Sequence, residues 1–138
     1  MTKSMALKKS DFEVLSEFRY QMRRFERFSE DVVQAEGITS LQYLLLLHLK
    51  GFPGRSWATI GELAIRLQAK PHGVVALVTR CELVDLVERV QSEQDGRQIE
   101  VHLLPNGEQI LSKLAALHRH ELASLDGVFA VPSNILKE

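Results

Sequence analysis

Asp95-Gly96-Arg97 is a short stretch whose residue types suit contact with a charged partner. An Asp-Gly pair turns a chain tightly, so Arg97 is carried at the tip of that turn. A guanidinium at a hairpin tip can enter the minor groove of DNA, where narrow A·T tracts concentrate negative potential. Asp95, two residues away, can hold it by a bidentate pair. Arg89 and Gln94 are weaker candidates on the same hairpin. The alternative is a solvated turn with an incidental ion pair. A second group lies just upstream: Lys70, His72, Gly73, Val75, Ala76, Thr79 and Arg80. Lys70, His72, Thr79 and Arg80 can reach phosphates or base edges. Val75 and Ala76 are small and apolar, as contact with thymine methyl groups requires. The alternative is an ordinary exposed helix face with no DNA beneath it.

Other residues invite chemistry less strongly. Tyr20, Tyr43, His48 and Trp57 combine aromatic bodies with polar tips, which suits a crevice for an aromatic ligand and equally suits core packing. Arg19, Arg23 and Arg27 share a helical stripe at steps of four and form either an anion site or a solvated face. Cys81 is the one cysteine. It excludes an intramolecular disulfide or a CxxC metal knuckle, and its neighbours place it in the core rather than in the exposed, electropositive setting of a redox thiol. His118 and His120 point apart on a helix and chelate poorly. No P-loop, zincin motif, nucleophile elbow or dinucleotide fingerprint is present. Neither catalysis nor a cofactor is expected.

The 138 residues are 45% hydrophobic and 25% charged, with 17 Lys+Arg against 18 Asp+Glu. These are globular values for one domain. No global basic field advertises nucleic acid. Between Trp57 and Leu104 five Lys/Arg face seven Asp/Glu, so DNA binding there requires the cations to be focused on one face. The longest nearly apolar run, Leu41 to Leu49, is too short to span a bilayer, and no membrane partner is expected. Met1-Thr2-Lys3-Ser4 lacks a signal peptide's apolar region, and a cytoplasmic location is expected.

The elements that position these residues read as follows. Ser10-Asp11-Phe12-Glu13 has a capping-box pattern and opens a helix from about Asp11 to Ala35, roughly 37 Å long. A helix of that length with apolar residues throughout needs partners beyond a small core. Gly37 ends it. Thr39-Ser40-Leu41-Gln42 caps a buried helix that closes at Gly51, and Trp57-Ala58 forms a very short strand. Thr59-Ile60-Gly61-Glu62 starts a short helix, a turn follows at Gln68-Ala69-Lys70, and Pro71 opens a second helix to about Leu83. Val74, Leu77, Val78 and Cys81 fall at i, i+3, i+4 and i+7, which makes them its buried face. Residues 86–90 and 98–103 alternate apolar and polar as a hairpin. Pro105 starts a last helix, stopped at Asp126-Gly127.

Helix-turn-helix followed by a hairpin is the winged-helix arrangement. The run Ile60-Gly61-Glu62-Leu63-Ala64, then Pro71, Val74, Leu77, Val78 and Arg80, then Leu86-Val87-Glu88-Arg89, Asp95-Gly96-Arg97 and Gly107 resembles the MarR family of bacterial transcription regulators. Departures from the family pattern are Asp85 in place of a glycine, Leu104 in place of a threonine cap, and the small or apolar residues of the second short helix. The resemblance implies a mainly α fold, an α+β winged helix-turn-helix, in a single domain 1–138. Residues 8–36 and 105–125 would be dimerisation helices around a 38–104 winged-helix lobe. It further implies a homodimeric repressor, two lobes on a pseudo-palindromic double-stranded DNA operator, and a small aromatic effector as a further partner. A winged-helix protein-interaction module without DNA readout is the alternative.

Overall fold

The computed structural model describes residues 6–124. In chain order its elements are α1 (Lys9–Ala35), α2 (Ser40–Lys50), β1 (Trp57–Thr59), α3 (Ile60–Leu67), α4 (Pro71–Leu83), β2 (Val87–Gln91), β3 (Ile99–Leu103) and α5 (Pro105–Ser124). The fold is mainly helical, with one antiparallel sheet in the order β1-β3-β2. Its register sets Trp57 opposite His102 and Arg89 opposite Val101. Among the described residues no helix is long and apolar enough to cross a membrane. The expected stop at Asp126-Gly127 lies outside the described residues.

Local chemistry accounts for most boundaries. The Thr39 hydroxyl accepts the Gln42 N–H at 3.2 Å, and the Gln42 side chain accepts the Thr39 N–H at 2.9 Å. Thr59 and Glu62 repeat this reciprocal box at the start of α3. Both boxes satisfy N–H groups that a helix start otherwise leaves bare. The start of α1 corrects the expectation. The helix begins at Lys9, because Asp11 rather than Glu13 reaches back and accepts the Lys8 N–H at 2.9 Å.

Two left-handed residues bracket α4, and neither is glycine: Gln68 at φ 53° and Asp85 at φ 59°. At Asp85 the Leu86 N–H donates to the Cys81 carbonyl at 2.9 Å and the Asp85 N–H to the Glu82 carbonyl at 3.1 Å. This is the paired closure usually built on glycine, and it turns the chain from α4 into β2. Beyond the sheet, the Leu104 N–H donates to the Leu86 carbonyl at 3.0 Å. Gly107 packs so closely on that carbonyl that a Cβ would overlap it.

Leu45, Leu46, Leu49, Leu63, Val74, Val78, Val101 and Leu114 meet in one core, joined by Val33 from the end of α1. Of the 27 residues of α1 only Gln21 and Val33 are buried. Phe12 and Leu15 on α1, and Leu117 and Leu122 on α5, stand exposed.

Candidate nucleic-acid interface

Helix α4 is fixed in orientation by its buried side. Val74, Leu77, Val78 and Cys81 are all at most 3% exposed. The opposite side is open along its length: His72, Gly73, Val75, Ala76, Thr79 and Arg80 are exposed, as is Lys70 just before it. Leu83, missed in the sequence reading, continues this side and is 78% exposed. His72, Ala76, Thr79 and Leu83 are spaced at i, i+4, i+7 and i+11, one line on a helix, so periodicity alone contained the signal.

The hairpin tip is organised differently from the expectation. Asp95 Oδ1 accepts the backbone N–H of Arg97 at 3.0 Å, and the Asp95 carbonyl accepts the Gln98 N–H at 2.9 Å. The carboxylate therefore shapes the turn and does not clamp the guanidinium. Among the described residues no ion pair to the Arg97 guanidinium is present, and Arg97 and Gln94 are exposed.

Arg89 is engaged inside the lobe. Its guanidinium pairs with Glu82, and its Nη2 donates to the Val75 carbonyl at 3.1 Å and to Thr79 Oγ1 at 3.0 Å. Its backbone N–H donates to Glu82 Oε2 at 3.1 Å. Thr79 Oγ1 in turn donates to the Val75 carbonyl at 3.1 Å. Arg89 and Thr79 thus brace β2 against α4, and their polar groups are committed to each other.

This arrangement also redistributes the charge of the lobe. Glu82 is paired with Arg89, and Glu62 is paired with Arg55. Burial alone would raise the Glu62 pKa, but the Thr59 N–H and the Arg55 guanidinium outweigh it and hold the carboxyl below the usual range. Ala58 and Val101 face the core, so Trp57, His102 and Glu88 share the other face of the sheet, where Glu100 bonds His102 at 2.8 Å. Lys70, Arg80 and Arg97 have no ion-pair partner among the described residues, and they flank the open side of α4 and the hairpin tip.

The four aromatic candidates do not come together. Tyr43 is 4% exposed and stacks on His118 with ring centroids 4.7 Å apart, and burial raises its pKa. His118 is itself buried, with Nε2 2.7 Å from Ser29 Oγ, so it ties α5 to α1. Tyr20 points outward on α1. His48 is half-buried on α2, its pKa lowered by burial and by Arg66. Trp57 lies between the Arg55 guanidinium, 3.9 Å from its ring, and His102. It lines a groove of about 360 Å³ beside the hairpin. Among the described residues, Tyr43 and His48 lie on α2, Tyr20 on the exposed side of α1 and Trp57 on the sheet beside the hairpin. Cys81 is fully buried, and burial, opposed by Arg80 and Gln42, pushes its thiol up to about 11.

A MarR family model matches residues 36–98, from the end of α1 to the second hairpin strand. The uncharacterized HTH-type transcriptional regulator YsmB of Bacillus subtilis is 31% identical over 80 residues, 54% of this chain and 55% of that protein. The chain spans little more than half the length of the curated relatives it matches. AbsC, a MarR family transcriptional regulator from Streptomyces coelicolor, superposes with a TM-score of 0.76 at 20% identity, covering 96% of this chain and 89% of AbsC. A variant of Staphylococcus aureus MepR, solved bound to an oligodeoxyribonucleotide, gives 0.67 at 18% identity, covering 95% and 91%. The matched stretch contains the helix-turn-helix, the first hairpin strand and the hairpin tip, which carry the open basic residues, and over these residues the chain is similar to the MarR family.

Proposed function

We propose that this chain is a sequence-specific DNA-binding transcriptional regulator that represses as a homodimer. One observation carries the reading: Lys70, Arg80 and the Arg97 guanidinium stand exposed by the open side of α4 and the hairpin tip with no ion-pair partner among the described residues, while Glu62 and Glu82 are paired elsewhere. Helix α4 enters a major groove, and the hairpin lays Arg97 into the flanking minor groove. Two lobes on a two-fold axis place half-sites about 34–36 Å apart. Phe12 and Leu15 on α1, and Leu117 and Leu122 on α5, are exposed large apolar side chains, and they support residues 8–36 and 105–125 as the dimerisation helices, where a second chain would cover them. The four aromatic residues form no ligand site in this proposal. Should an effector act, it does so by its difference in affinity for two lobe separations.

The test is affinity for duplexes enriched from a random library, measured from low to high salt, with light scattering on the same sample. Specific, salt-dependent binding by a species of twice the chain mass is expected. A monomer at micromolar concentration refutes the dimer, and an absence of enriched duplexes refutes the DNA reading. The exposure of Leu83 and Ile65, 78% and 71%, favours the second reading, a protein-interaction module, which that last outcome would bring forward.

A further inference from the structure

We infer that α4 reads DNA through thymine methyl groups, so that the centre of each half-site is a run of A·T pairs contacted by Val75, Ala76 and the methyl of Thr79. This rests on the DNA-binding reading above. The outward line of α4 has little capacity for hydrogen bonding. From Pro71 to Leu83 it has no Asn, Gln, Ser or Lys, and so none of the side chains that read adenine bidentately. Its central positions are Ala76 and Thr79, flanked by Val75, which is 43% exposed.

Thr79 looks polar in the sequence but is largely spent in the fold. A hydroxyl has one donor and two acceptor lone pairs. Here the donor goes to the Val75 carbonyl at 3.1 Å, and one lone pair takes the Arg89 Nη2–H at 3.0 Å. With its donor and one lone pair committed, Thr79 offers a partner chiefly its methyl. The Val75 carbonyl, which receives both Thr79 and Arg89, is likewise occupied. The middle of the helix thus presents three methyl-bearing side chains in a row. In the major groove the one apolar group for such a surface is the thymine C5-methyl. The polar readers, His72 and Arg80, stand to either side of this apolar centre. A narrow A·T minor groove next to it is also the setting in which Arg97 gains most, so both contact elements select the same base composition.

Uracil is thymine without that methyl, which makes the inference directly testable. Duplexes are first selected from a random library made with thymine. The enriched duplex is then resynthesised with deoxyuridine at each central thymine in turn, and affinity is measured by fluorescence anisotropy. A loss of about fourfold per methyl is expected at two or more positions, the scale of burying one methylene-sized group. Thr79→Ser keeps the hydroxyl and its bonds but removes the methyl, and should abolish the thymine preference at one position. Thr79→Val keeps the methyl and should retain it. Circular dichroism checks that both variants fold. Equal affinity for the thymine and uracil duplexes overturns the inference while leaving the DNA reading intact. Enrichment of G·C-centred duplexes also overturns it. Failure to enrich any duplex overturns both.

Discussion

Glu82 of α4 and Arg89 of β2 are joined twice: the carboxylate accepts both the backbone N–H of Arg89, at 3.1 Å, and its guanidinium. Side chains on a helix and on the strand that follows it are thereby held in one geometry, with the α4 backbone captured at Val75. The pair is a brace, and its charges neutralise each other before any phosphate arrives. Arg89→Gln is therefore expected to lower unfolding free energy by about 1–2 kcal/mol, the range for hydrogen bonds to charged groups reduced by partial exposure. Glu82→Gln should cost a similar amount, and the double variant less than the sum. A urea-melt double-mutant cycle reads the coupling. Additive losses would mean that the two side chains act independently.

Arg97 should behave in the opposite way, affecting binding and leaving stability unchanged. Arg97→Ala is expected to weaken binding to the selected duplex by about 1–3 kcal/mol. It should also reduce the slope of log K against log salt by about 0.9, one phosphate's worth of counterion release. His72→Ala should do less, since it removes an imidazole rather than a guanidinium. Asp95→Ala loosens the turn and gives a weaker defect with the slope kept. Asp95→Asn, whose amide oxygen can accept the Arg97 N–H, should restore most of the affinity. An unchanged salt titration for Arg97→Ala would show that the hairpin does not touch DNA.

Two glycines separate packing from propensity. A Cβ at Gly107 overlaps the Leu86 carbonyl, so Gly107→Ala should destabilise by about 1–3 kcal/mol through overpacking. At Gly73, in the first turn of α4, a Cβ meets open space. Gly73→Ala should raise stability by up to about 1 kcal/mol and weaken DNA binding, because the helix can no longer approach the bases closely at that point. Thermal melts and anisotropy on the same preparations decide both. Unchanged affinity would place Gly73 away from the groove floor.

Cys81 gives a pH-dependent limb. In the unfolded chain a thiol ionises near pH 8.5, whereas in the fold burial holds it protonated to about 11. Below pH 8.5 both states carry the proton and nothing changes. Between the two values the unfolded state alone releases it, so stability falls as pH rises. Denaturant midpoints from pH 7 to 10.5 should show this decline, which Cys81→Ala should flatten. Buried Tyr43, also shifted upward, adds a decline in the same direction at higher pH. Alkylation of native Cys81 at pH 7.5 should be slow, and rapid labelling would contradict its burial.

What could be read from the sequence was what is local. The Thr39–Gln42 and Thr59–Glu62 caps each lie within four residues, as does the Asp95-Gly96 turn, and the buried side of α4 follows from helical periodicity. The open side of α4 was readable as its complement, although Leu83 was overlooked. Features that depend on distant parts of the chain were not. Arg89 and Thr79 look like two DNA contacts until β2 is packed against α4 and their polar groups meet. Tyr43 looks like a ligand residue until His118, far along the chain, stacks on it. Asp95 and Arg97 are close in sequence, yet a carboxylate at that spacing can bind either a side chain or a backbone N–H, and only the turn geometry distinguishes them.

The bareness of α1 has a consequence in mass action. A helix of 27 residues with two of them buried draws most of its cover from a second chain in the dimer proposed above. Folding and pairing then share one free energy, and melting temperature should climb with protein concentration. Inside a cell the same coupling acts on copy number. Halving the supply of chains more than halves the paired species wherever the chains are mostly unpaired. Operator occupancy would then respond to synthesis and dilution more steeply than one-to-one, giving a threshold set by the bare side of one helix.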